Sequence, residues 1–263
     1  MDTKQIRLTP ETPFYGTTYD KPQYNKVIGP TQRIELHRGC PWGKIHTYCY
    51  EPNIYTDFPI PELTQNQVQI LDMNPLARKD IVMILQDLKT RRVNGKVIKY
   101  EFVCGIDYRF LTQEIADLMK AARFVRPRIA WDDPFSEQLK IKDAIEKMIK
   151  AGYKKNDLML FMIVNWKIPF DECLRKLDLM KVWNVKVCDC CYDGGYKVAV
   201  PVHWTQHEMD MIRKISRKHN QLVLFGMDPQ PTINPYASIN KQSKRTSVNS
   251  KSLGTSIDTK QLR

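Results

Sequence analysis

Leu158-Met159-Leu160-Phe161-Met162-Ile163-Val164 is apolar without a break and is followed at once by Asn165-Trp166. The run is the length of a buried strand and falls far short of the ~20 residues that span a bilayer. A strand apolar on both faces belongs in a parallel sheet covered by helices, and the pattern on either side agrees. Upstream, Ile141, Ala144, Ile145 and Met148 recur at helical spacing and stop at Gly152, a residue suited to a helix C-terminus. Downstream, Pro169 suits a first helical turn, with Phe170, Leu174 and Leu177 on one face.

The same alternation extends over most of the chain. Strands are expected at Arg33 to His37, Val68 to Asp72, Tyr100 to Cys104, Arg128 to Trp131, Val185 to Cys188 and Leu222 to Phe225. Helical stripes fall at Ile81, Ile84, Leu85 and Leu88, at Ile115, Leu118, Met119 and Ala122, and over about Gln206 to Lys218. Strands alternating with helices predict an α/β fold with a parallel sheet, right-handed crossovers and outer helices. A doubly wound open sheet and a partial barrel of about six strands both satisfy that pattern. Residues 1–32, interrupted by Pro10, Pro13, Pro22 and Pro30, are expected to form an irregular arm. Residues 33–232 then make the body, and residues 233–263 a disordered basic tail.

The formal charge of +12 suggests an acidic partner. From Ala237 onward six Lys/Arg face one Asp, so the tail carries +5 of that total. Such a tail can touch nucleic acid through phosphates without sequence preference. The N-terminus lacks the apolar core of a signal peptide. Seven cysteines, an odd number with Cys188, Cys190 and Cys191 crowded together, make a poor disulfide framework. The expectation is a cytoplasmic protein that does not span a membrane.

In α/β folds ligands bind beyond the carboxyl ends of the strands. Polar residues there are Asn74, Asp107, Arg109, Asp132, Asn165 and Asp189. Turn residues and helix caps explain such positions equally well. After the first strand comes Arg38-Gly39-Cys40-Pro41-Trp42-Gly43, then His46-Thr47-Tyr48-Cys49. Its potential donors are spaced Cys40-x5-His46-x2-Cys49, which would suit iron-sulfur ligation or zinc.

This loop resembles the cluster-binding loop of the radical S-adenosylmethionine superfamily, which has three cysteines spaced C-x3-C-x2-C. Here the loop is two residues longer, and His46 stands in place of the middle cysteine. Later segments resemble the same superfamily in order: Leu71-Asp72-Met73-Asn74, Gly105-Ile106-Asp107-Tyr108-Arg109, Arg128 to Asp133, and Val164-Asn165-Trp166. The family's Gly-Gly-Glu segment is absent after the second strand.

The resemblance implies a partial (β/α)6 TIM-like barrel. It also implies a [4Fe-4S] cluster held by Cys40, His46 and Cys49, and S-adenosylmethionine bound near Tyr48, Asn74, Asp132 and Asn165. Asp107, Arg109 and Cys190 become the candidate catalytic residues. The activity implied is reductive cleavage of the cofactor and hydrogen abstraction from a substrate, with an electron donor such as a flavodoxin or ferredoxin. The competing expectation is a barrel without a cluster that binds nucleic acid.

Overall fold

A computed structural model describes residues 22–43, 45, 46, 48, 55–193 and 200–227. The N-terminal half contains β1 (Asn25–Ile28), β2 (Thr31–Ile34), β3 (His37–Arg38), β4 (Thr56–Asp57), β5 (Gln67–Ile70), α1 (Ile81–Thr90), β6 (Arg92–Val93), β7 (Lys96–Val97) and β8 (Lys99–Phe102). The rest contains β9 (Ile106–Asp107), α2 (Gln113–Ala121), β10 (Arg128–Ala130), α3 (Gln138–Lys150), β11 (Met159–Val164), α4 (Phe170–Trp183), β12 (Lys186–Cys191) and α5 (Gln206–Leu224).

Two four-stranded sheets result, ordered β1-β2-β5-β8 and β9-β10-β11-β12. All pairings in them are parallel except that of β1 with β2. The chain thus forms a mixed α/β structure with parallel sheets. Only three residues separate β8 from β9, where the pairing passes from one sheet to the other. Gly105 lies in that link, and a Cβ there would stand 2.9 Å from the Phe161 ring and 3.1 Å from the Ala130 Cβ. The missing side chain therefore lets the chain approach β10 and β11.

Local chemistry sets the element ends. Thr112 caps α2 by accepting from the Ile115 N–H at 3.1 Å. Thr205 and Glu208 form a reciprocal capping box at α5. Asn94-Gly95, both at positive φ, turn β6 into β7. Asn184, left-handed at φ 55°, ends α4.

Several expectations change. Leu222 to Leu224 close α5 and make no strand, because the apolar spacing of that helix continues through His219 and Val223. The boundary at 32/33 falls inside β2, whose partner β1 lies in the stretch expected to be irregular. Between β2 and β5 there is no helix among the described residues. The tail 233–263 lies outside the described residues.

The strands are also less uniformly apolar than expected. Val68, Ile70, Tyr100, Ile129, Leu160 and Val187 are buried in one core with α1 to α5. The opposite face of β2, β5 and β8 is polar. Arg33 Nε donates to Gln69 Oε1 at 3.0 Å, and Gln69 Nε2 donates to Glu101 Oε2 at 3.2 Å. Arg126 and Arg128 both pair with Glu101. No described helix is long and apolar enough to cross a membrane.

Candidate functional site

Glu35 and Arg38 fix the entry to the Cys40 loop through two buried 2.7 Å contacts. The loop then coils tightly, with Ile45 and His46 both donating their backbone N–H to Trp42 O at 2.8 Å. That turn sends the Trp42 indole toward the end of β9, where Nε1 donates to Asp107 Oδ2 at 2.6 Å. The Arg109 guanidinium lies 3.9 Å from the Trp42 ring centre, a cation–π contact. Its Nε donates to Asp107 Oδ1 at 2.7 Å, and its Nη1 stands 3.5 Å from Asp133 Oδ2. Asp107 and Arg109 thus form an ion pair under the loop.

Asn74 joins the same network from the end of β5. Its Nδ2 donates to the Cys40 sulfur at 3.5 Å and to Asp107 Oδ2 at 3.3 Å. Its Oδ1 is buried with no hydrogen-bond partner. Such an orphan acceptor costs about 1–3 kcal/mol and calls for a physical reason.

His46 Nε2 lies 3.5 Å from Asp133 Oδ1. Burial alone would raise the Asp133 pKa, yet the His46 hydrogen bond and the Arg109 charge hold it below the usual carboxylate range. Next to it, enclosure pushes Asp132 up to about 6, against the opposing charges of Lys176 and His46. Asp132 Oδ1 accepts the Ile163 N–H at 3.1 Å and so ties β10 to β11. Tyr48 stacks on His46 at 5.2 Å and meets the Trp166 ring edge-on at 5.7 Å. Trp166 continues that aromatic run to Tyr192 and His203, beside a cavity of about 470 Å³ also lined by Lys167, Phe170 and Trp204.

Asn165 behaves differently from the other candidates. It is fully buried at φ 60°, and its Nδ2 donates to Tyr192 O and Val200 O, both at 2.7 Å. Its Oδ1 accepts the Val202 N–H at 2.9 Å. The amide therefore pins the segment between β12 and α5. Asp189 is half-buried on β12, with burial raising its pKa. Cys190 is half-buried on the same strand. Cys49 lies outside the described residues.

No protein-family model matches this chain, and no curated protein matches it in sequence.

Three residues of the neighbourhood escape sequence reasoning. Trp42 reads as a loop aromatic, and nothing in its spacing announces its bond to Asp107. Lys176 falls mid-helix, yet it is fully buried and its Nζ donates to Asp133 O at 2.7 Å. His37 precedes the loop on β3. Its Nδ1 is 2.6 Å from Asp57 Oδ1, while its Nε2 is buried without a partner. A carboxylate-oriented imidazole with its second nitrogen bare is a ligand-like arrangement. Its only sequence signal is closeness to Cys40.

Among the described residues, no three His, Cys, Asp or Glu are grouped to hold a metal ion. The two described donors nonetheless have suitable chemistry. Cys40 is buried, and the carboxylate beside His46 Nε2 would leave Nδ1 as its ligating atom, the pairing common for metal-bound imidazoles.

Proposed function

We propose that this chain is a radical S-adenosylmethionine enzyme built on a partial (β/α)6 barrel. The order of its parallel strands supports the barrel part. Taking β8 and β9 as one interrupted strand, the order is sequential from β2 through β5, β10 and β11 to β12. With right-handed crossovers, such an order leaves the helices on one side and favours a curled sheet, whereas a doubly wound sheet reverses its order.

The observation that carries the functional reading is the docking of the Cys40 loop onto Asn74, Asp107 and Asp133, at the ends of three different strands. In this reading Cys40, His46 and Cys49 hold a [4Fe-4S] cluster. When bound, such a cluster supplies the electron for reductive cleavage of S-adenosylmethionine and so for hydrogen abstraction from a substrate. The protein's own work is orientation and exclusion of water. The buried Asn74 Oδ1 can accept from the cofactor's amino group, and Tyr48 with Trp166 offers an aromatic wall for its adenine. Asp133 holds the His46 ring. The Asp107–Arg109 pair fixes Trp42 over the strand ends, and Cys190 contributes a thiol from β12.

Anaerobic reconstitution with iron and sulfide tests the reading. The expected product is brown protein carrying iron and acid-labile sulfide, lost in Cys40→Ala and Cys49→Ala. Iron-free protein, or cluster loading indifferent to both substitutions, overturns it. Zinc at the same residues, or a colourless protein that binds RNA with steep salt dependence, would replace it with one of the competing readings.

A further inference from the structure

Arg33, Gln69 and Glu101 stand in register across β2, β5 and β8, on the face turned away from the helices. Side chains carry the row onward. Arg128 donates through Nη2 to Glu101 Oε1, and through Nη1 to Phe102 O at 2.8 Å and Val103 O at 3.2 Å. Arg126 reaches in from the loop before β10 and donates to Glu101 Oε2. Arg128 is in register with Met159, and Met159 with Lys186, so the Lys186 side chain leaves the same face two strands away. Arg128 and Lys186 are the first residues of their strands, at the opposite end from the Cys40 loop.

Four cations thus face one carboxylate. Among the described residues the Arg33 guanidinium meets no carboxylate, only the neutral Gln69 amide, which accepts from its Nε at 3.0 Å. Lys186 makes no ion pair among them either. Burial holds its pKa below the ordinary lysine value, and the charge of Asp157 offsets this only in part because Arg126 and Arg128 repel the ammonium. Arg126 adds backbone strain, with a left-handed φ of 52° directly before Pro127. Residues held in such conformations cluster at ligand sites.

The counterpart this face lacks is an anion. Guanidinium groups pair well with phosphate oxygens. One phosphate monoester brings about −1.5 to −2 charges, short of the excess on this face, whereas linked phosphates match it. Side-chain exposure falls from 63% at Arg126 to 18% at Arg128 and 3% at Glu101. Donors set at graded depth suit a compact anion that enters between them better than a polymer lying across the sheet.

We infer that Arg33, Arg126, Arg128 and Lys186 form a binding site for a small polyphosphate, with Glu101 holding the two neighbouring arginines in place. The site is independent of the Cys40 loop, and no bond is made or broken in it.

Titration calorimetry of the full-length protein with tripolyphosphate at physiological ionic strength tests the site. One anion should bind per chain. Arg33→Met and Lys186→Met should each weaken binding roughly tenfold, while Arg33→Lys and Lys186→Arg, which keep the charge, should retain most of the affinity. Lys142→Met removes an equal charge from the exposed side of α3 and should bind as the parent does. The Cys40→Ala/Cys49→Ala variant should also bind as the parent does, which separates this site from cluster loading. Urea unfolding should show Arg33→Met and Lys186→Met to be folded and at least as stable as the parent, since each removes a cation that lacks a counterion. Unchanged affinity in Arg33→Met and Lys186→Met, or equal weakening in Lys142→Met, overturns the assignment. So does displacement of tripolyphosphate by an RNA oligomer at lower phosphate concentration, which would make the face a nucleic-acid track.

Discussion

Ile34 and Ile70 sit side by side in the core beneath the helices, while their neighbours Arg33 and Gln69 form a polar ladder with Glu101 on the other face. In β10, β11 and β12 the buried row is Ile129, Leu160 and Val187. Its counterpart is Ala130, Phe161 and Cys188, all half-buried. One side of the strands thus buries apolar area and carries most of the stabilisation, at about 25 cal/mol per Å². The other spends its residues on ion pairs, thiols and a partly open surface. A sheet that needed only to be stable would have little reason for a buried Glu101 with two arginines.

The sharpest way to break this contrast is at Trp131. It is fully buried at the end of β10 and packs on Phe135 and Trp183 of the helix layer. Trp131→Ala should destabilise by about 3–5 kcal/mol, the range for emptying a large aromatic site. Urea unfolding measures it. A loss below about 1 kcal/mol would mean that the helix-covered face is not where stability resides.

Glu101 is the matching probe on the polar face. Glu101→Gln removes the charge shared by Arg128 and Arg126 and should cost about 2–3 kcal/mol. Arg126, with a side chain 63% exposed, contributes little of that, whereas Arg128 at 18% is poorly hydrated once unpaired. The double variant Glu101→Met/Arg128→Met should recover much of the loss, a coupling that a double-mutant cycle reads directly. Strictly additive losses would show that the ladder is incidental.

The same contrast explains what the sequence made legible. Helical stripes survive translation into structure because burial enforces them: Ile81, Leu85 and Leu88 are all buried in α1. The apolar run at 158–164 likewise becomes β11, whereas the ion pair of Asp107 with Arg109, two residues marked as site candidates, appears only in the structure. The polar face is harder to read. Gln-Val-Gln-Ile in β5 and Lys-Tyr-Glu-Phe in β8 show that alternate residues face differently, but not that Arg33, Gln69 and Glu101 will meet in register. Asn165 shows the same limit at the strand ends. Its type and position suit a ligand contact, yet three of its hydrogen bonds to the segment before α5 define it as a staple. Lone side chains acting across 30 or more residues, as Trp42 does on Asp107, leave no periodic signal.

Asp132 stands where the two kinds of surface meet, just beyond β10, and sharpens the comparison through pH. Enclosure raises its pKa to about 6 from an unfolded value near 3.9. The folded state therefore holds a proton that the unfolded state has lost between about pH 4 and pH 6. The resulting stabilisation is fully present below the unfolded pKa and disappears as pH rises through the folded one. Its size should be on the order of 1–2 kcal/mol, since each pKa unit is worth about 1.4 and water at the residue's exposed part screens some of it. Asp132→Asn keeps an oxygen to accept the Ile163 N–H at any pH. Its stability, measured by urea unfolding at intervals from pH 4 to pH 7, should lack this component of the parent's decline. Parallel curves for parent and variant would mean that the carboxyl is hydrated like a surface group, and that the polar end of β10 is open to solvent.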